Sequence, residues 1–318
     1  MRILHMTHCR EWFADHFDHI CYELGHTGET KQIADFGLTA EKANELWKSN
    51  IDYFNSFDMV FVSHLATLSR IFLQNNWRKP LRIWHCFRFD HFDPNNRLDR
   101  LAYQKLIQES IKRPNVKHAA AAEHDRLHTQ KTLKNFPLDI VAPFVHVNMD
   151  GKVGVPCKDK LFIISKHNET LFMDLKLKLD ELKIPAYKHA WQDGPPDTRG
   201  VTGIIHLPYT YLTRNLMENL ALENVFFIPT LGFFQELLSK PGYFWDVHMR
   251  EPNQDCLSEW YKPEHEKLFV QFSSFENLKS IIESPYIGDL LADRKKNIRA
   301  FNWQHNSKVR EQWREFLS

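Results

Sequence analysis

The sequence predicts an α/β protein built from two doubly wound parallel-sheet domains in tandem. Three observations carry this. Short apolar strands alternate with amphipathic helices along the chain. Several strands are apolar throughout, the pattern of a strand covered on both faces. The alternation breaks once near the middle and then restarts, and 318 residues suit two medium domains better than one.

Each element follows in order. Residues 2–6 form a first strand. Glu11 to Leu24 has helical spacing, with Trp12, Phe13, Phe17, Ile20 and Leu24 on one side and Gly25 as its end. Residues 30–35 read as a second strand. Thr39 is an N-cap for the next helix, whose stripe is Leu46, Trp47, Ile51 and Phe54. Residues 58–64 are a buried strand, 68–75 a helix and 81–86 a strand. A polar loop from Arg88 leads to a helix over 98–112. Strand 116–121, helix 125–133 and strand 138–143 close the first half.

Residues 148–158 hold Gly151, Gly154 and Pro156 without periodicity, which reads as a linker. Strand 160–165, helix 169–182 and a short strand over 186–189 follow. After a turn at 193–197 come strand 202–207, helix 212–223 and strand 225–229. A further helix begins at Phe233, a late strand covers 268–272 and a late helix 274–283. The end, 297–317, is helical and carries Trp303, Trp313 and Phe316. The predicted domains are therefore 1–147 and 148–296, with a terminal helix over 297–318.

Composition narrows the function classes. Lys+Arg is 41 and Asp+Glu 40, a formal net charge of +1, so there is no global electrostatic case for nucleic acid or an anionic membrane. No apolar run is long enough to span a membrane, and the start reads as a strand rather than a signal peptide. A cytoplasmic location is expected. Five scattered cysteines without a C-x-x-C pair fit reduced thiols. His5-x-x-His8-Cys9 has metal-like spacing, but alternating strand side chains send His5 and His8 apart, so no metal site is expected. Asp15, His16, Asp18 and His19 read as a solvated helix side.

One stretch of the second half is more specific. It runs Leu207-Pro208, Asn215-Leu216-Met217-Glu218-Asn219-Leu220-Ala221, Val225-Phe226-Phe227-Ile228-Pro229, then Thr230-Leu231-Gly232-Phe233-Phe234-Gln235-Glu236. This order resembles the GT-B glycosyltransferases, specifically their retaining, family-4-like members. There a helix bearing Glu is followed by an apolar strand and a Gly-containing turn with a second Glu. The resemblance implies two Rossmann-like domains facing a cleft, and a terminal helix crossing back to the first domain. It implies a nucleotide-sugar donor, a glycan or other hydroxyl-bearing acceptor, retention of anomeric configuration and a place in glycan biosynthesis. The sequence departs from the family at Thr210, where an earlier Glu often stands, and at Thr7-His8-Cys9-Arg10, which replaces a glycine-rich loop.

Ligands of open α/β sheets sit outside the carboxyl ends of strands, so residues just after strands are the candidates. For the donor, Glu218 accepts from a ribose diol or simply caps a helix. Lys166 stabilises the leaving nucleoside diphosphate or lies on the surface. Thr230, Gly232 and Phe233 form a strand-to-helix turn able to bind phosphate or sugar oxygens. Glu236 takes a sugar hydroxyl or faces water. For the acceptor side, His8, His64 and His85 end strands of the first domain, and His64 and His85 are candidate general bases. Glu123 faces the cleft or serves a helix terminus. No cofactor and no metal are required for chemistry, because a lysine and a helix N-terminus carry the leaving-group charge. A nucleotide-sugar epimerase of the same fold, and a two-domain scaffold that has lost catalysis, remain alternatives.

Overall fold

The computed structural model describes residues 1–8, 11–34, 38–86, 97–148, 161–163, 169–188, 198–208, 211–239 and 258–318. The chain divides into two compact units. One is Met1–Phe144 with Asn306–Ser318, and the other is Val145–His305.

The first unit is wound on β1 (Arg2–Thr7), α1 (Glu11–Leu24), β2 (Thr27–Gln32), α2 (Ala40–Asn55), β3 (Met59–Val62), α3 (Arg70–Leu73), β4 (Leu81–His85), α4 (Arg97–Ser110), β5 (Val116–Ala120), α5 (Glu123–Thr132) and β6 (Asp139–Ile140). Its six strands pair in parallel in the order β2-β1-β3-β4-β5-β6. The winding reverses between β1 and β3, the point at which such sheets open for ligands.

β3 is buried at every position, as its unbroken apolar run predicts. Phe17 and Ile20 of α1 are buried while Trp12, Phe13 and Leu24 are half-buried, and Gly25 ends the helix with φ of +67°. Thr39 caps α2, its hydroxyl accepting from the Lys42 N–H. Three boundaries move. The second strand starts at Thr27 rather than Thr30, because its register is set by pairing with β1. The helix expected over 68–75 is a 3₁₀ turn, Ala66–Ser69, running into a single α-turn. The strand expected over 138–143 keeps only Asp139–Ile140 in the sheet.

The second unit holds β7 (Leu161–Ile163), α6 (Glu169–Glu181), β8 (Ala186–Lys188), β9 (Gly203–Ile205), α7 (Arg214–Ala221), β10 (Phe226–Pro229), α8 (Leu231–Ser239), β11 (Val270–Phe272) and α9 (Phe275–Ile282). Its five described strands are also parallel, ordered β11-β10-β9-β7-β8, with the reversal between β7 and β9. Phe226, Phe227, Phe233, Phe234, Trp260, Phe269 and Phe272 fill its core.

The terminal helix starts earlier than expected. It is one helix, α10, Ile287–Leu317. Its first part belongs to the second unit, where Ile298 is in the core and Asn302 donates to the Leu220 carbonyl. From Asn306 it belongs to the first unit. There Trp313 is fully buried, and its ring lies 5.1 Å from Trp84 and 5.6 Å from Phe61. Trp303, grouped with Trp313 by sequence, is 74% exposed.

Candidate functional site

In the first unit the carboxyl ends of β1, β3 and β4 bring His8, His64 and Cys86 together. β1 ends at Thr7 and β3 at Val62, and these two strands flank the winding reversal. The His8 and His64 rings are 5.6 Å apart, and Phe13 of α1 lies 4.7 Å from His64. His8 Nδ1 is 3.1 Å from the Ile33 carbonyl. A carbonyl only accepts, so Nδ1 carries the proton and Nε2 is the basic nitrogen of neutral His8.

His64 has φ of +63°, in the left-handed region that β-carbon crowding disfavours. Its N–H donates to Cys86 Sγ at 2.9 Å. Burial, reinforced by the Asp125 carboxylate, pushes the Cys86 thiol well above its usual range, so the sulfur is a neutral thiol.

His85 differs from the expectation of a substrate-facing base. It is fully buried, with Nε2 at 3.0 Å from His118 Nδ1, and His118 Nε2 is 2.8 Å from Ser110 Oγ. Ser110 in turn donates to the Ile107 carbonyl at 2.6 Å. Burial holds the His85 imidazole down to about 3, so it stays neutral. The imidazole joins β4 to β5 and α4. His5 is likewise enclosed, with its ring nitrogens at 3.0 Å from Thr30 Oγ1 and 2.7 Å from Ser63 Oγ. His16 corrects the solvated-face reading of α1. It is buried, stacks on Trp84 at 5.4 Å, and accepts the Phe144 N–H at 3.0 Å through Nε2. Glu123, in the first turn of α5, pairs with Arg126 on its own helix.

In the second unit, α8 opens directly after β10. Thr230 caps it, accepting the Phe233 N–H at 3.3 Å through Oγ1. Above Gly232 a β-carbon would meet nothing within 4 Å, so the backbone there is open to close approach. Glu236 is exposed one turn further. Phe233 is not at the surface; it packs against Phe275 at 5.3 Å and Phe272 at 6.0 Å in the core. Glu218 sits in the second turn of α7 and forms an ion pair with Arg214 at 2.8 Å, where the side chains are 14% and 23% exposed. The cap of α7 is Thr213, which accepts the Leu216 N–H at 3.1 Å. Lys166, Thr210, Cys9, Arg10 and Arg88 lie outside the described residues, as does most of the expected linker.

Sequence reading missed the segment 258–262. It lies at the carboxyl end of β10, where the Tyr261 hydroxyl donates to the Pro229 carbonyl at 3.0 Å. Beside it Glu259 pairs with Lys262 at 2.6 Å. Their place is set by contact with β10, 32 residues earlier in the chain, which local periodicity does not record. Cys86 was also missed as a site member. Only its position after a strand signalled it.

Among the described residues there is no group of three or more His, Cys, Asp or Glu side chains suited to a metal ion. None of the described helices is long and apolar enough to cross a membrane.

The sequence matches no protein-family model and no curated protein. Among solved structures, a glycosyltransferase from Rickettsia africae ESF-5 is similar over 100% of this chain and 98% of its own, with a TM-score of 0.58 and 12% identity. The glycotransferase of kitacinnamycin is similar over 98% of each chain, with a TM-score of 0.48 and 7% identity. The first likeness, over the full length, fits the two parallel sheets to the two-domain GT-B-like fold.

Proposed function

We propose that this protein is a glycosyltransferase that moves a sugar from a nucleotide-sugar to a hydroxyl acceptor. The observation that carries the reading is the pair of parallel doubly wound units, shared end to end with a solved glycosyltransferase. A fold alone does not fix chemistry. The strand-end residues supply the rest of the argument.

On this reading the second unit takes the donor. The N-terminus of α8, with Thr230 and the open backbone at Gly232, receives the diphosphate, since helix N-termini favour anions. Lys166 adds the cation that holds the leaving nucleoside diphosphate. Glu218, paired with Arg214, accepts from the ribose diol. Glu236 accepts from a sugar hydroxyl. The acceptor approaches His8 and His64 in the first unit. With Lys166 and the helix N-terminus carrying the leaving charge, transfer needs no metal. Retention of configuration, a hexose or pentose as the group moved and a role in glycan synthesis follow from the resemblance alone. A cytoplasmic site of action fits a nucleotide-sugar donor.

The rival reading, a scaffold without catalysis, is favoured by one observation: Glu218 is already engaged by Arg214. Thermal melting against a panel of nucleoside diphosphates and nucleotide-sugars separates the two. A ligand at about a hundredfold its Kd adds about 2.7 kcal/mol, a clear rise in Tm. The expected outcome is one EDTA-insensitive hit that weakens at least tenfold in Glu218→Ala. A panel without any hit supports the scaffold, and an unchanged hit in Glu218→Ala removes the ribose role. Conversion of the donor sugar without acceptor would point to the epimerase.

A further inference from the structure

We infer that Cys86 is a positioning residue for His64, and that its thiol holds the strained strand end that presents this imidazole beside His8. The inference rests on the acceptor-side reading above.

The argument begins at the end of β3. Ser63 still follows the sheet, its N–H donating to the Met6 carbonyl at 3.1 Å. One residue later the backbone turns left-handed, with φ of +63° at His64. Glycine takes that conformation freely; a histidine adopts it more often than most residues, but its β-carbon still crowds the following carbonyl there. Strain of this kind persists only where the surroundings over-determine it. Cys86 is one such constraint. It follows β4, the strand hydrogen-bonded to β3, and its Sγ accepts the His64 N–H at 2.9 Å.

The result of the turn is a side-chain arrangement. The His64 ring comes to 5.6 Å from His8 and 4.7 Å from Phe13, at the reversal between β1 and β3. An extended residue 64 would continue the strand and send its side chain to one face of the sheet. The left-handed turn is therefore what brings the ring to the strand end, and the thiol acts on the imidazole through one backbone bond. Sulfur suits the task here. Burial and the nearby Asp125 keep it a neutral thiol, so it accepts an N–H without introducing a charge beside the imidazole pair.

Two kinds of measurement test this. The first is amide hydrogen exchange at His64, which needs no substrate. Loss of one hydrogen bond predicts about tenfold faster exchange in Cys86→Ala and near-native exchange in Cys86→Ser, whose hydroxyl still accepts. The second is nucleoside diphosphate release from the nucleotide-sugar that raises the Tm, with water or added oligosaccharide as acceptor. Misplacement of a contacting group predicts about a tenfold fall in Cys86→Ala and in His64→Gly, and a fall within about threefold in Cys86→Ser. Donor affinity is expected to stay unchanged in all three.

The double variant His64→Gly/Cys86→Ala decides whether Cys86 acts through His64. It should turn over no more slowly than His64→Gly alone. Additive losses would overturn the positioning role, as would native exchange at His64 in Cys86→Ala. His64→Gly should melt higher than His64→Ala, which lacks the same ring contacts, because only glycine relieves the left-handed strain. A His64→Gly Tm equal to or below that of His64→Ala would show that the turn is not strained and would remove the argument. If no nucleotide-sugar binds, the glycosyltransferase reading falls on its own, and the exchange data still judge the Cys86 contact.

Discussion

Buried histidines set the pH response of this protein at the level of single residues. Burial holds His5, His85 and His206 down to about 3, from the usual 6.5. It also lowers His118, helped by its neighbour His85. The sign is fixed by proton binding. Between about pH 3 and 6.5 an unfolded imidazole is protonated while the folded one is neutral, so the unfolded chain binds more protons. Stability contributed by neutral burial is therefore complete above pH 6.5 and is lost as pH falls toward 3. Each such histidine costs up to about 1.4 kcal/mol per pH unit within that window. The melting temperature should fall steeply from pH 6.5 to 5 and stay nearly flat from 7 to 8. Equal Tm at pH 5 and 7 would contradict the buried neutral assignment. Most of the 18 histidines looked alike in the sequence. What separates His85 from His64 is enclosure, and a strand-end position by itself does not reveal it.

At the scale of elements, Arg82 of β4 ties the end of α10 to the first sheet. It donates to the Phe316 carbonyl at 2.6 Å, to the Ser318 carbonyl at 2.9 Å and to the Asn115 carbonyl at 3.2 Å. Lys117 of β5 adds a bond to the Glu315 carbonyl at 3.2 Å. The last carbonyls of a helix lack partners within it, and cations there also meet the negative end of its dipole. Arg82→Ala leaves enclosed carbonyls without donors, and a cost of about 2–4 kcal/mol is expected. Arg82→Lys should recover little, because an ammonium does not reproduce the planar fork. Urea denaturation measures both, and a loss below about 0.5 kcal/mol in Arg82→Ala would show that water replaces the arginine. An arginine in the middle of an apolar strand is visible in the sequence. Its partner 234 residues away is not.

For the whole molecule, α10 belongs to both units. Residues from Asn306 contribute Trp313, Phe316 and the carbonyls bound by Arg82 to the first unit. The earlier part gives Ile298 and Asn302 to the second, where Arg294 also donates to the Phe269 carbonyl. A chain truncated after residue 305 should keep the second unit's transition in calorimetry. It should lower that of the first by several degrees or abolish it, since removing a buried Trp alone costs about 3–5 kcal/mol. An unchanged pair of transitions would show that the last turns only decorate the first unit.

The sequence by itself determined the α/β class, the parallel winding and most element positions. It did so because apolar period, caps and turn residues are local properties, written within ten or twenty neighbouring residues. Thr39, Thr213, Ser274 and Gly25 do their work within a turn of their own position. Tertiary structure alone decided which strand-end residues meet. It buried His85 and His16 and drew Phe233 into the core. It also joined His64 to Cys86. Those outcomes depend on sheet register and on which strand lies beside which, and the order β2-β1-β3-β4-β5-β6 brings together residues that the chain keeps far apart.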